Sequence, residues 1–140
     1  MRKIYYRTFA RVALPLYVGG TIIHICRLIF DFPITKMPVQ VDWVVVLLGG
    51  YAGLGFLVFV KSISFKNNWD RFAYTLLIFH LLGSVALHLY ILIANDREII
   101  GIFPYWYSYI AVAYFAALGY YVLGLNKRFY RTGGSTTNEG

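Results

Sequence analysis

Four long apolar segments make up most of this chain and constrain its fold more than any other feature. A membrane-crossing helix needs about 20 mostly apolar residues. The sequence offers four such segments, at residues 11–30, 42–60, 72–95 and 104–125. We therefore predict an all-α integral membrane protein, with four transmembrane helices in an up-down-up-down bundle. The bundle forms one domain, residues 1–130, and a polar tail at 131–140 is expected to be disordered.

The placement of the basic residues predicts the orientation of the bundle. The formal net charge is +7, although only 14% of the residues are charged and 59% are hydrophobic. In an up-down-up-down bundle, most of the basic side chains share one side: Arg2, Lys3, Arg7, Arg11, Lys61, Lys66, Arg71, Lys127, Arg128 and Arg131. The positive-inside rule then places both termini in the cytoplasm, and we expect a bacterial inner (plasma) membrane. Lipid headgroups, and not nucleic acid, are the expected partners of these charges.

The two halves of the chain resemble each other when residue i is compared with residue i+64. The matching positions include Gly19 with Gly83, His24 with His88, and Asp31 with Asn95. Farther along, residues 51–58 (YAGLGFLV) align without a gap with residues 115–122 (FAALGYYV). This register predicts a tandem duplication of a helical hairpin, whose halves are related by a pseudo-two-fold axis along the membrane normal.

Three histidines lie within the predicted helices, where an ionisable side chain is costly and is a functional candidate by default. The duplication places His24 and His88 at one depth, roughly 9 Å below the outer ends of their helices. Two opposed neutral imidazoles suit bis-histidine ligation of haem b, and Gly19 and Gly83 would leave room for a flat macrocycle. The same two histidines are the candidate ligands of a metal ion. Arg27, one helical turn from His24, is the candidate partner of a haem propionate.

Other interpretations of these polar residues stay open. The histidines can instead hydrogen-bond to Thr21, Ser84, Ser108 or a tyrosine as polar contacts between helices. Arg27 and Asp31 are one turn apart and are expected to form an i,i+4 ion pair. Together with His24 they can also line the polar pocket of a small transporter. His80 has no partner in the repeat, so packing or a local hydrogen bond is its expected role.

These patterns favour three functions from different classes. The first is a non-enzymatic accessory or interaction subunit of a membrane complex, or a homodimer, that packs through its small residues. The second is a redox protein that holds haem b between His24 and His88. The third, a small transporter, is weakened because we expect no acidic residue near the midplane of a helix. An enzyme is disfavoured because no nucleophile–base pair or metal motif occurs. Cys26 is the only cysteine, so the chain cannot form an intramolecular disulfide.

Overall fold

The computed structural model describes residues 2–131, which are helical and contain no strand. Four helical segments are long and apolar enough to cross a membrane: Tyr5–Phe30, Val39–Val58, Asn68–Ala94 and Tyr107–Arg128. The prediction of an all-helical protein with four membrane-compatible spans is therefore confirmed. The predicted tail lies outside the described residues from position 132 onward.

The helices are separated by short connections. Helix α1 is Arg2–Phe30, and the second span consists of α2 (Val39–Val44), a π-helical segment (Val45–Gly49) and α3 (Gly50–Val58). Helix α4 is Asn68–Ala94 and helix α5 is Tyr107–Arg131. Short 3₁₀ turns lie between the spans at Ile34–Lys36, Val60–Ser62 and Glu98–Ile102.

Helix α1 begins nine residues earlier than predicted and runs continuously past Pro15. The reason is packing, because the first turns of this helix bury Tyr6 and Phe9. The Tyr6 hydroxyl donates a hydrogen bond to the Phe59 carbonyl at the end of α3. Residues 2–10, which precede the predicted span at 11–30, are thus part of the same helix.

Polar residues define the ends of α1 and α4. The side chain of Asn67 caps α4 by accepting a hydrogen bond from the Asp70 amide at 2.9 Å. The Asp70 carboxylate in turn accepts from the Lys66 amide at 2.9 Å. Asp31 and Asn95 follow the last residues of α1 and α4 in the left-handed region, with φ of 51° and 52°. A left-handed residue at this position is a common way to end a helix.

The packing of the spans leaves a space near one end of the bundle. Helix α1 packs most extensively against α5, and the second span packs against α4 and α1, whereas α4 and α5 make few contacts with each other. The connections 31–38 and 95–106 meet around a small apolar cluster of Ile34, Ile91 and Ile100. We call this the histidine end of the bundle, because the two polar clusters described below lie beside it.

Replacing Gly55 with alanine is expected to destabilise the protein by about 1–3 kcal/mol, because a Cβ there would clash with the Phe9 ring. The matched change Gly50→Ala meets no atom within 4 Å. It should be neutral or stabilise the helix by up to about 1 kcal/mol. Unfolding in mixed detergent micelles measures both changes, and equal effects would contradict the close approach of α1 to α3.

Candidate functional site: a histidine-lined cavity

An internal cavity of about 400 Å³ lies between α1, the second span and α4. Its wall is largely apolar, but all three histidines of the chain line it: His24 from α1, and His80 and His88 from α4. Pockets that hold small molecules or cofactors usually enclose about 300–1,000 Å³. The two histidines that the repeat pairs, His24 and His88, therefore border one space of ligand size.

The π-helical segment forms one side of this cavity. Val44, Val45 and Gly49 line it at and beside the π-helical turn. A π turn inside an α-helix is uncommon and frequently marks a functional site. At Gly49 a Cβ would lie 3.2 Å from Val85 Cγ2, so the absent side chain lets this wall approach α4. The second span is thus irregular where it borders the cavity.

The first polar cluster holds His88 through a fully buried carboxylate. Asp42 is 0% exposed, and its Oδ1 lies 2.7 Å from His88 Nδ1. Its other oxygen accepts a hydrogen bond from the Arg97 guanidinium, which also donates to the Met37 carbonyl at 2.6 Å. A carboxylate only accepts hydrogen bonds, so Nδ1 carries the proton in this contact. In neutral His88 the lone pair then lies on Nε2.

The second polar cluster holds His24 through a fully buried hydroxyl. Ser108 is 0% exposed, and its Oγ lies 3.0 Å from His24 Nδ1. The Arg27 guanidinium donates to the same Oγ at 3.2 Å and to the Phe103 carbonyl at 2.9 Å. The two lone pairs of a hydroxyl oxygen suffice to accept from Nδ1–H and from Arg27 together. That arrangement again leaves the lone pair of His24 on Nε2.

One sequence-based expectation about charged residues was wrong. Arg27 and Asp31 form no ion pair, because Arg27 turns to the start of α5 and Asp31 lies exposed beyond the end of α1. The set His24–Arg27–Asp31 is therefore not assembled. Arg97, in the connection after α4, reaches back to bind Asp42.

The two clusters have the same layout. In each, a histidine bonds to a residue four positions after a loop proline, Pro38 or Pro104. An arginine bonds to that same residue and to the carbonyl directly before the proline. The first cluster is His88, Asp42, Arg97 and Met37, and the second is His24, Ser108, Arg27 and Phe103. They differ in charge, since only the first contains a carboxylate.

The predicted glycines border open space. No atom lies within 4 Å of the position that a Cβ would take at Gly19 or at Gly83. Gly19 lines the central cavity, and Gly83 lines a second cavity between α4 and α5. Close helix packing is instead seen at Gly20 and Gly53, where a Cβ would lie 2.6 Å and 2.9 Å from neighbouring side chains.

His80 lies deeper in the bundle and is surrounded by rings. Its imidazole stacks on Tyr114 at 5.0 Å and meets the edges of Phe115 and Tyr17 at 4.8 Å and 5.4 Å. Within residues 2–131 no group of three or more histidine, cysteine or acidic side chains is arranged to hold a metal ion.

Sequence reasoning missed two members of the site, Asp42 and Arg97. A usable signal was present, because Asp42 is the only acidic residue of the second apolar segment and needs a cationic partner if buried. Comparison with protein-family models, with curated proteins and with solved structures finds no match for this chain.

Proposed function

We propose that this protein is a small membrane haem-binding protein in which His24 and His88 ligate haem b. The observation that carries the proposal is that both imidazoles line one cavity while a buried group holds each of them through Nδ1. Metal-ligating histidines nearly always bond through their second nitrogen to a carboxylate or another oxygen, which fixes the ring and the tautomer. Haem b held in this way would carry single electrons.

The charge of the second cluster supports the same proposal. Arg27 donates hydrogen bonds to neutral oxygens, those of Phe103, Pro104 and Ser108, and its guanidinium lies 5.8 Å from the centre of the Tyr105 ring. It forms no ion pair within the described chain. An anion beside His24 would supply the missing countercharge. A haem propionate is such an anion, and Arg27 remains our candidate for binding it.

We further infer an up-down-up-down bundle with both termini in the cytoplasm. Contacts at the helix ends support the topology, since Tyr6 bonds to Phe59 and Arg128 bonds to Asp70. These contacts join the start of α1 to the end of α3, and the start of α4 to the end of α5. The basic residues gather at that end, and the positive-inside rule assigns it to the cytoplasm.

A duplicated hairpin is part of the same proposal. Two features support it: the left-handed helix ends at Asp31 and Asn95, and the common layout of the two polar clusters. The cluster residues Asp42 and Ser108 are two positions farther apart than the predicted offset of 64. We infer that the first half carries extra residues at the π-helical segment, after which the offset of 64 resumes.

Titration of the apoprotein with haemin tests the haem proposal. We expect saturable binding of one haemin per chain, or one per dimer, with the Soret band of a six-coordinate low-spin haem. His24→Ala and His88→Ala should each weaken binding at least about tenfold, as even the loss of a supporting group costs metal sites 10–100-fold. His80→Ala serves as the control and should retain binding. If only His80→Ala lost haemin binding, the assignment of His24 and His88 as the haem ligands would be wrong.

An accessory subunit is the second candidate function. One exposed face of α5 carries the small residues Ala113, Ala117 and Gly124, four and seven positions apart. Such faces let membrane helices approach each other closely. Under this alternative the two histidines serve only to join helices. Disulfide crosslinking of an Ala117→Cys variant, made in a Cys26→Ser background, would then capture a second copy or a partner chain.

A further inference from the structure

His80 and Ser84 lie at a junction of three cavities, and the haem proposal assigns no role to either residue. Three cavities, of about 400, 530 and 140 Å³, border these two residues, which are one turn apart on α4. The 530 Å³ cavity lies between α4 and α5, where those helices are separated. The pair therefore faces open space on more than one side of its helix.

Both side chains have unused hydrogen-bonding capacity. Within residues 2–131, neither the His80 side chain nor the Ser84 side chain forms a hydrogen bond, whereas the Thr75 hydroxyl on the same helix donates to the Arg71 carbonyl at 2.9 Å. Their polar atoms are also not fully buried, whereas the Tyr17 hydroxyl is buried and has no hydrogen-bond partner in the described chain. Polar groups inside a protein are nearly always partnered. A ligand in these cavities would supply the partners.

The surroundings of His80 favour a flat ligand. The rings that pack around its imidazole also line the cavities: Tyr17 and Phe115 line the 400 Å³ cavity, and Tyr114 lines the 530 Å³ cavity. Aromatic walls of this kind select planar rings through stacking and edge contacts.

The cavity between α4 and α5 gives access from the side of the bundle. It is lined by Phe79 and Ile110, whose side chains are 73% and 56% exposed on membrane-spanning helices. Gly83 lines the same opening and has no side chain to close it. An apolar tail can therefore extend from the cavity into the hydrocarbon layer.

We propose that His80 and Ser84 form a binding site for the headgroup of a lipid-soluble quinone. Its planar ring would lie among the aromatic walls, its carbonyl oxygens would accept from the Ser84 hydroxyl and an imidazole N–H, and its tail would leave between α4 and α5. A fatty acid fits less well, because no lysine or arginine of the described chain lines any of the three cavities, and Arg27 and Arg97 are engaged at the histidine end. Neither His80 nor Ser84 is a proposed haem ligand, so either proposal can fail alone.

Binding of decylubiquinone to the haem-free protein, reconstituted in nanodiscs, tests the site. We expect one saturable site per chain. Ser84→Ala and His80→Phe should each weaken binding about tenfold, the loss expected for one hydrogen bond worth 1.4 kcal/mol. Gly83→Leu should abolish binding by filling the opening. The matched controls are Thr75→Ala on α4 and Gly50→Leu, at a glycine that is also open but borders none of the three cavities.

Three results would overturn the proposal. The first is the absence of saturable binding to a folded wild-type protein. The second is equal binding by wild type and Gly83→Leu, which indicates partition into lipid. The third is equally tight binding of farnesol, which has a tail but no ring carbonyl and would show that the headgroup is not recognised.

Discussion

Asp42→Ala is expected to lower the free energy of unfolding by about 3–5 kcal/mol, because it leaves Arg97 and His88 without the buried carboxylate that pairs them. The same change should weaken haem binding roughly 10–100-fold, since His88 would lose the group that orients it. Unfolding in mixed micelles and haemin titration at low temperature measure the two effects separately.

A matched control for Asp42→Ala lies in the connection at the same end. Asp96→Ala removes only a long contact with the Tyr90 hydroxyl, at 3.4 Å, and should change stability by less than about 1 kcal/mol. The double variant Asp42→Asn/Arg97→Met removes both charges of the ion pair. It should be more stable than Asp42→Asn alone, because no unpaired charge remains. A double variant that is less stable would contradict the burial of this pair.

Asp70→Ala is expected to destabilise the protein by about 3 kcal/mol without altering the site. Asp70 joins the start of α4 to the end of α5, since both of its carboxylate oxygens accept from Arg128, at 3.0 and 3.1 Å, and Oδ1 also accepts from Tyr121 at 2.8 Å. It lies at the end of the bundle opposite the histidine end. Haem affinity at a permissive temperature should therefore equal that of the wild type.

Two milder variants calibrate the Asp70 result. Tyr121→Phe removes one hydroxyl and should cost about 1 kcal/mol. Asp31→Asn keeps a side chain that tolerates the left-handed backbone and should cost almost nothing. A loss at Asp70 no larger than that of Tyr121→Phe would show that the paired arginine contributes nothing to stability.

The spans were predictable because their physical cause is local. Apolar runs of membrane length, and the Asn67 cap before α4, are each visible within a short window of sequence. The early start of α1 was not predictable in this way, since it depends on burying Tyr6 and Phe9 against Phe59, about fifty residues farther along the chain.

The candidate site was predictable only in part. The repeat singled out His24 and His88, and both line the central cavity. Ser108, which bonds to His24, was among the expected hydrogen-bond partners of the histidines. The Asp42–Arg97 pair beside His88 escaped prediction, because these residues are 55 positions apart and no local spacing joins them. The predicted ion pair between Arg27 and Asp31 failed for the opposite reason. The two residues have a favourable spacing, but α1 ends at Phe30, so Asp31 is not on the helix.

The absorbance spectrum of the protein, purified from haem-supplied cells in mild detergent, tests the haem proposal most directly. We predict a sharp α-band after reduction with dithionite, with about one haem per chain or per dimer. The band should disappear in His24→Ala and in His88→Ala, and persist in Asp70→Ala. A folded wild-type protein that is colourless would contradict haem ligation by these two histidines.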